Sequence, residues 1–383
     1  MKIKTFGVID QRAYEQLVRC AESGNAEYAV LCADHHVGYS QPIGGAIAYE
    51  DYISPSGVGY DIACGNKAVK TNIMAKDIDV AKIMNEIFER VSFGIGRVNN
   101  EPVDHEVFDK ISSAKFKPQR QFLDMARQQL GTVGSGNHYV DLFEDEAGVL
   151  WVGVHFGSRG FGHKTASGFL ALAQGLPFED RAKEGEMDSP PILFSTNSEL
   201  GQGYLEAMHL AGEYAYAGRD VVCDKVLGIL GAKSVEEIHN HHNFAWLEEH
   251  FGKKYWVVRK GCTPAFDKQK GFVGGTMGEN AVILEGKSSQ EAKESLFSTV
   301  HGAGRLMSRG QARKEIDWES ARNAIYKEKG IHIRGGGADE APMAYKRLSE
   351  VLEYHRESVH ILHDLRPIGV AMAPSWVKDP YKD

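Results

Sequence analysis

The sequence predicts a mixed α/β fold built around one or two sheets, with several loops converging on one site. Segments with helical periodicity and short β-rich segments alternate unevenly along the chain, without the regular βαβ spacing of a doubly wound fold. The 42 glycines cluster in short runs beside polar residues, which is typical of functional loops. At 383 residues, the chain is long enough for one large domain or two smaller ones.

Each predicted element rests on helical spacing of apolar residues or on a short β-rich run. From the N-terminus, the pattern predicts a helix at residues 11–22, strands at 28–31 and 66–71, and helices at 78–91 and 118–129. A strand at 150–155 is followed by the longest helical pattern, 204–230. Strands at 254–260 and 281–284, a helix at 290–296, a strand at 331–334 and a helix at 343–363 complete the series. The acidic segment 175–191 contains prolines and is expected to form a surface excursion.

Composition limits the class of protein. No apolar stretch reaches the roughly 20 residues that a membrane span needs, and the N-terminus lacks the apolar core of a signal peptide. Five scattered cysteines favour free thiols in a reducing compartment, or one thiol used as a metal ligand. We therefore expect a cytoplasmic protein with no membrane partner. The net charge of −8 argues against coating nucleic acid by bulk electrostatics but allows a local basic groove on a monomer.

The segment around His301 has the features of a phosphate site. Gly302 and Gly304 let the backbone approach a ligand closely, and Arg305 and Arg309 follow the histidine by four and eight residues. On a helix beginning near Gly304, both arginines would lie close to one face, and the helix N-terminus would point back toward the histidine. A neutral imidazole in such a place can act as a nucleophile or as a general base.

Four further glycine- or asparagine-rich segments each offer metal ligands. They are residues 57–66, with Asp61 and Cys64, and residues 134–138, 155–160 and 239–243, with histidines. An O/S/N ligand set of this kind suits zinc, or redox-quiet manganese, iron or cobalt. A thiolate can bridge two ions, and a two-metal site clamps both oxygens of a phosphoryl displacement. Each histidine alone is more often a surface or satisfied core residue, but clustered ligand-type residues indicate a site.

Other polar loops leave two interpretations open. Segment 33–38, which contains Asp34, either holds a carboxylate that supports a site or touches substrate, or it is a turn capped by the aspartate. Arg259, Lys260 and the loop 334–337 are either phosphate contacts or solvated charge. The glycine-rich turn 274–278 is of nucleotide-cradling type but fits neither the P-loop nor the Rossmann pattern. Any nucleotide is therefore bound by a different fold.

These segments together resemble the RtcB RNA ligase family. The motifs that carry the resemblance follow the family's order from about residue 30 to residue 366. They are DHHVGY at 34–39, PIGG at 42–45, DIACG at 61–65, GSGNH at 134–138, HFGSRG at 155–160, HN at 242–243, RKG at 259–261, GTMG at 275–278, HGAGR at 301–305 and DEAP at 339–342.

The resemblance implies a single α+β domain of the RtcB type over residues 1–383, with central mixed β-sheets surrounded by helices and an active site formed by converging glycine-rich loops. It implies a GTP- and manganese-dependent ligase. Such enzymes join RNA ending in a 3′-phosphate or 2′,3′-cyclic phosphate to RNA with a 5′-hydroxyl, in RNA repair or tRNA splicing. The expected partners are GTP, tRNA or rRNA fragments with broken ends, and an activating protein.

Matched motif to motif, the resemblance also implies roles for individual residues. Two Mn²⁺ ions would be held, one by Asp61, Cys64 and His138, the other by Cys64, His155 and His242. His301 would become guanylylated. The residues that would contact GTP are Asn137, Tyr139, Asp141, Asn243, Gly275, Thr276, Met277, Gly302, Ala303, Gly304 and Tyr345. The arginines that would grip RNA phosphate are Arg159 and Arg309.

The sequence departs from the family pattern at two places. The family usually ends near a Val-Lys-Gly terminus whose lysine contacts guanine. Here Met372 or a neighbour takes that place, and a divergent tail, residues 374–383, offers Lys378 or Lys382 as substitutes. Asp141 stands where a longer Glu is common. The altered terminus motivates an alternative, a metal-dependent hydrolase of RNA ends acting as cyclic phosphodiesterase or phosphatase. A non-catalytic RNA-binding paralogue is a third hypothesis, which the intact His301 opposes.

Overall fold

The computed structural model describes residues 1–182 and 186–375. In this part of the chain the strands are β1 (Lys2–Thr5), β2 (Tyr28–His36), β3 (Ile43–Tyr49), β4 (Tyr52–Ile53), β5 (Gly65–Met74), β6 (Tyr139–Glu144), β7 (Val149–Phe156), β8 (Phe194–Ser195), β9 (Ser234–His241), β10 (Asn243–His250), β11 (Lys253–Lys260), β12 (Cys262–Pro264), β13 (Lys270–Val273), β14 (Ala281–Gly286), β15 (Ser298–Val300), β16 (His332–Gly336) and β17 (Val359–Pro374).

The α-helices of the described residues are α1 (Gln11–Ser23), α2 (Pro55–Val58), α3 (Val80–Arg90), α4 (Val107–Ser112), α5 (Leu123–Gln129), α6 (Arg159–Ala173), α7 (Glu199–Leu230), α8 (Gln290–Glu294), α9 (Arg309–Glu315), α10 (Trp318–Lys329) and α11 (Leu348–Glu353). Short 3-10 turns lie at Ala75–Asp77, Lys117–Phe122, Ala338–Glu340 and Pro342–Ala344. No helix of the described ranges has the length and apolar character that a bilayer crossing requires.

Two sheets organise the fold. The smaller has the strand order β1-β2-β3-β11-β10 and is antiparallel except for the β1–β2 pair. The larger runs β13-β14-β17-β6-β7-β5-β9, with β16 added alongside β17. Its two ends approach each other, because Asn66 on β5 donates to the Phe272 oxygen (2.8 Å) and the Phe272 amide donates to Asn240 Oδ1 on β9 (3.1 Å). The larger sheet therefore curls toward a barrel.

Helix α7 is the longest element that packs on the larger sheet. The Ser198 side chain caps its N-terminus by accepting from the Gly201 amide (3.0 Å), and Gly231, with φ 62°, ends it. Its buried face includes Tyr204, Tyr214 and Arg219, and the last of these is completely buried. Helix α7 thus places the charged side chain of Arg219 against the larger sheet.

The helix predicted at residues 343–363 is wrong for most of its length. Only α11 is helical there, and β17 begins at Val359, where it pairs with β14, β16 and β6. Pro367 is tolerated in this interior strand because the register shifts between Pro367 and Gly369. Pairing with three neighbours overrides the local helical spacing.

The helix predicted to begin near Gly304 is also displaced. Residues 301–308 are irregular, and α9 begins at Arg309, where the Ser308 side chain accepts from the Gln311 amide (3.1 Å). Arg305 therefore lies before α9, and the dipole of this helix does not begin beside His301. The predictions at 11–22, 78–91 and 204–230 are confirmed as α1, α3 and α7, whereas 118–129 is divided between a 3-10 turn and α5.

Candidate active site

The candidate metal ligands lie at one edge of the larger sheet. Strand register places Tyr139, His155, Asn66 and Asn240 in one row across β6, β7, β5 and β9. Cys64 directly precedes β5, His138 precedes β6 and His242 follows β9. Four segments far apart in sequence therefore meet because their strands are neighbours.

Close packing at this edge requires glycine at position 65. A Cβ there would clash with the Asn240 oxygen and would lie 2.8 Å from the His241 Cα. Ala63, two residues earlier, holds a left-handed φ of 60°, which is unusual for a residue with a side chain. Such strain persists where the surrounding structure fixes the backbone, and here it turns Cys64 toward the sheet edge.

Five side chains form two overlapping groups with ligand atoms no more than 4.8 Å apart. The groups are Asp61, Cys64 and His138, and Cys64, His155 and His242. Cys64 Sγ lies 3.1 Å from His155 Nε2 and 3.6 Å from His138 Nε2, and the latter lies 3.1 Å from Asp61 Oδ2. The thiol is common to both groups, so one sulfur could bridge two cations.

The protonation states suit metal binding. Burial lowers the pKa of His155 and His242 well below the ordinary value, so both imidazoles are neutral and can offer a lone pair. Burial raises the pKa of Asp61, but the hydrogen bond and charge of His138 outweigh burial, and the pKa falls to about 2. Burial raises the pKa of the Cys64 thiol, a cost that a bound cation would offset by favouring the thiolate. The donor set therefore fits divalent cations.

His301 lies beside this cluster, immediately after β15. Its ring centroid is 5.0 Å from that of His242. Its Nδ1 lies 2.6 Å from Oδ2 of Asp34, and its backbone amide donates to the same oxygen (2.9 Å). With the Nδ1 proton donated to this carboxylate, Nε2 carries the lone pair, which is the form a nucleophile requires.

Asp34 is fully buried near the end of β2. Burial raises the pKa of Asp34, but the charge of His301 and two hydrogen bonds from that residue lower the pKa by more than burial raises it, so the net shift is downward. The turn-cap interpretation of this segment is wrong, since the residue is part of a strand. Gly304 passes so close to the backbone oxygen of Asp34 that a Cβ would clash, which explains the glycine there. The carboxylate is well placed to orient the imidazole.

Loops that carry the predicted nucleotide contacts pack around His301. A Cβ at Gly274 would clash with the Tyr139 hydroxyl, and a Cβ at Gly302 would lie 3.6 Å from the Gly274 oxygen. Asn243 Oδ1 accepts from the Gly261 amide (2.8 Å), and Gly261 in turn abuts the His301 ring. The loop at residues 274–277, β6 and the His301 loop therefore form one wall.

This wall contains buried polar atoms without partners. Within residues 1–182 and 186–375, Tyr139 Oη, Asp141 Oδ1 and Thr276 Oγ1 have no hydrogen-bond partner. Burial raises the pKa of Asp141 well above its ordinary value, which favours the protonated form that can donate a hydrogen bond. Unpartnered buried polar groups are costly, so these three atoms are suited to a polar ligand. Met277 and Met372 pack in one apolar cluster with Tyr139.

The two predicted RNA-binding arginines flank the glycine loop that precedes His138. Arg159 Nη1 lies 2.6 Å from a Cβ position at Gly134, and Arg309 Nη2 lies 3.1 Å from one at Gly136. Both have protein partners, since Arg159 donates to the Gly94 oxygen (2.8 Å) and Arg309 pairs with Glu340.

Tyr345 contacts Glu340, the carboxylate that also pairs with Arg309. The Tyr345 hydroxyl also accepts from Arg305 (2.7 Å). Arg305, four residues after His301, also donates to the Asp339 oxygen (2.8 Å). Tyr345 and Arg305 are therefore held by protein partners beside the His301 loop.

One other sequence interpretation needs correction, and the 239–242 segment becomes more specific. Arg259 is neither solvated nor free for phosphate, because it is completely buried and donates to both Glu248 oxygens (2.6 and 3.0 Å). Of the three histidines at 239–242, only His242 joins the cluster, while His239 and His241 contact Arg219. The alternation of side chains along β9 separates them, a signal that was present in the sequence. The C-terminal residues 376–383, with Lys378 and Lys382, lie outside the described residues.

Comparison with known proteins gives a consistent result. The family model described as tRNA-splicing ligase RtcB matches residues 16–373. The tRNA-splicing ligase RtcB of Archaeoglobus fulgidus is 31% identical, over 96% of this chain and 92% of the relative. The RNA-splicing ligase RtcB of Escherichia coli K12 is 30% identical, over 96% of each chain. The Thermococcus kodakarensis tRNA-splicing ligase RtcB is 31% identical, over 94% and 91%.

Proposed function

Because this chain belongs to the RtcB family, we propose that it is an RNA ligase that uses His301 to carry a nucleotide. It joins an RNA 3′-phosphate or 2′,3′-cyclic phosphate to a 5′-hydroxyl, with GTP and manganese. The observation that carries the proposal is the hydrogen-bonded Asp34–His301 pair, which lies beside His242, one of the candidate ligands grouped around the Cys64 thiol. Cleaved tRNA or rRNA strands are the proposed substrates, in splicing or repair.

His301 acts as the nucleophile in this scheme. In the neutral imidazole, the proton on Nδ1 is donated to Asp34 and the lone pair lies on Nε2. Attack of Nε2 on the α-phosphorus of GTP forms a nitrogen–phosphorus bond as pyrophosphate leaves. As positive charge develops on the ring, the Asp34 carboxylate stabilises it. The Asp34 contact to the His301 backbone amide also limits ring movement, which reduces the entropy cost of reaching the reactive geometry.

The cluster residues would hold two divalent cations. Asp61, Cys64 and His138 would bind one, and Cys64, His155 and His242 the other. When bound, such ions neutralise phosphate charge and polarise the phosphorus–oxygen bonds. The lowered pKa values of His155, His242 and Asp61 keep these three side chains in their ligand forms at neutral pH.

The wall beside His301 would orient the nucleotide. The buried carboxyl of Asp141 and the hydroxyls of Tyr139 and Thr276 supply donors and acceptors in a water-poor environment. The other nucleotide contacts proposed are Asn137, Asn243, Gly275, Met277, the 302–304 loop and Tyr345. Arg159 and Arg309 flank the loop at residues 134–136 and would approach RNA phosphate there.

The remaining steps require the two RNA strands, water and the GMP carried by His301. The terminal 3′-phosphate oxygen of the RNA attacks the His301-bound GMP, which frees the imidazole and activates the RNA end. A 2′,3′-cyclic phosphate must first be opened by water to give the 3′-phosphate. The 5′-hydroxyl of the second strand then attacks the activated phosphorus, loses its proton and releases GMP. Dividing one difficult displacement into these steps lowers each barrier.

A ligation assay tests the proposal. The full chain is incubated with GTP, an RNA ending in a 3′-phosphate or cyclic phosphate and a 5′-hydroxyl RNA, with Mn²⁺, Co²⁺ or Zn²⁺ in turn. Joined product that requires GTP, and that His301→Ala abolishes, is the expected result. Turnover of the cyclic phosphate without GTP and without joined product would favour the hydrolase alternative instead.

A further inference from the structure

Arg219 is a buried charge that the proposed chemistry does not use. It lies in the second half of α7, with its side chain completely buried. Its Nε donates to His239 Nε2 (2.7 Å), and its Nη2 lies 2.9 Å from His241 Nδ1. Its Nη1 donates to the backbone oxygens of Ala63 (3.0 Å) and Phe156 (2.6 Å). Four contacts therefore engage a group that has five N–H donors.

Three of the four acceptors are direct chain neighbours of the cluster residues. Ala63 precedes Cys64, Phe156 follows His155, and His241 precedes His242. One planar guanidinium thus links the backbone before β5, the end of β7 and the end of β9. A movement of Arg219 would reach three of the five candidate ligands through one peptide unit each.

The Ala63 contact bears on a strained backbone. Ala63 has a φ of 60°, a conformation that persists only where neighbouring groups hold it. The hydrogen bond from Arg219 fixes the carbonyl of this residue, and the next residue is Cys64. The direction of the thiol therefore depends on a contact made by α7.

The charge of Arg219 points to the same role. None of its four acceptors is a carboxylate, and a buried cation whose hydrogen-bond partners are all neutral is costly. Burial lowers the pKa of Arg219, and the nearby acidic side chains Asp61 and Asp220 offset part of that shift. Because Arg219 has only N–H donors, His239 Nε2 and His241 Nδ1 must accept its hydrogen bonds.

We propose that Arg219 is a positioning residue that holds Cys64, His155 and His242 in the arrangement in which they share divalent cations. This inference rests on the metal role of the cluster given above. The guanidinium fork is essential to it, because a lysine ammonium is a compact point charge that cannot span four acceptors in one plane.

Cobalt binding to the purified full-length chain tests the proposal. Titration with Co²⁺ gives an affinity, and the near-ultraviolet thiolate-to-cobalt band reports whether Cys64 remains a ligand. Arg219→Lys should weaken the affinity by about 10- to 100-fold, as loss of outer-shell partners does in metal sites, and should reduce the thiolate band at saturation.

Arg259→Lys is the matched control. Arg259 is also completely buried and makes four guanidinium hydrogen bonds, but in the smaller sheet. This variant should lower the thermal unfolding midpoint while leaving the cobalt affinity and the thiolate band unchanged. A loss of binding in both variants would mean that general destabilisation, not positioning, explains the result, and would overturn the inference.

Equal cobalt affinity in Arg219→Lys and the parent chain would also overturn it. Absence of cobalt binding to the parent chain would instead refute the metal role itself, so the two failures are distinguishable. Should Arg219→Lys fail to fold, His239→Phe and His239→Gln decide. The first removes an acceptor of Arg219 and should weaken cobalt binding severalfold, whereas the second keeps one and should not; equal affinities would count against positioning.

Discussion

Replacing Asp34 by asparagine should slow the labelling of His301 by GTP without unfolding the chain. Asp34 accepts two contacts from His301, one to Nδ1 at 2.6 Å and one to the backbone amide at 2.9 Å. Loss of one charge-assisted hydrogen bond costs about 1.5–3 kcal/mol, or about 10- to 150-fold in rate. An amide that donates to Nδ1 would also place the proton on Nε2, and a wrong tautomer of this kind lowers a serine protease rate by about 10⁴.

We therefore expect the Asp34→Asn rate to be about 10- to 10⁴-fold lower than the parent rate. The assay is rapid-quench, single-turnover incorporation of α-labelled GTP at saturating nucleotide. Asp145→Asn is a suitable control, because Asp145 also accepts hydrogen bonds, from the backbone amides of Ala147 and Val149, but at the far end of β6. Labelling of Asp34→Asn within threefold of the parent rate would refute the orienting role, as would an equal loss in Asp145→Asn.

Three other changes have predictable outcomes. Cys64→Ser should remove the bridging thiolate and lower ligation by at least about 100-fold, measured as joined RNA, and near-parent activity would contradict a shared-sulfur site. Burial lowers the pKa of His355 to about 4. Since the unfolded imidazole protonates below about 6.5, the contribution of His355 to stability should fall by about 2 kcal/mol as pH drops from 8 to 5. Urea unfolding of His355→Asn should lack this component, and an unchanged pH dependence would be evidence against it. Glu248→Gln strips the counter-charge from buried Arg259 and should destabilise by about 3–5 kcal/mol; a chemical-unfolding loss under 1 kcal/mol would show that the pair contributes little.

The sequence could predict elements whose pattern is local. The helices at 11–22 and 78–91 have helical spacing and, as the structure has them, aspartate caps at Asp10 and Asp79, and both formed close to their predicted limits. β17 could not be predicted in this way, since its identity depends on pairing with β14, β16 and β6, and its partner Tyr139 on β6 lies 233 residues before Met372. The helical spacing that predicted a helix at 343–363 extends into residues that form a strand.

Candidate site residues were predictable by chemical type but not by position. Ligand-type side chains beside glycine nominated Asp61 and Cys64, yet only the β5–β7–β9 register brings them to the other segments. Arg219 left no local signal, because a single arginine within an apolar helix says nothing about which strands it will meet. The roles of Asp34 and Arg259 likewise depended on burial, which is a property of the assembled sheets.

Mass spectrometry of the His301 peptide tests the central claim most directly. The full chain is incubated with GTP and Mn²⁺, digested under alkaline conditions and mapped, and a parallel sample receives RNA with a 3′-phosphate before digestion. We predict one GMP adduct, on His301, that is stable to alkali, lost in acid and discharged by the RNA. An adduct on another residue, or none with Mn²⁺, Co²⁺ or Zn²⁺, would contradict a covalent nucleotide carrier at this position.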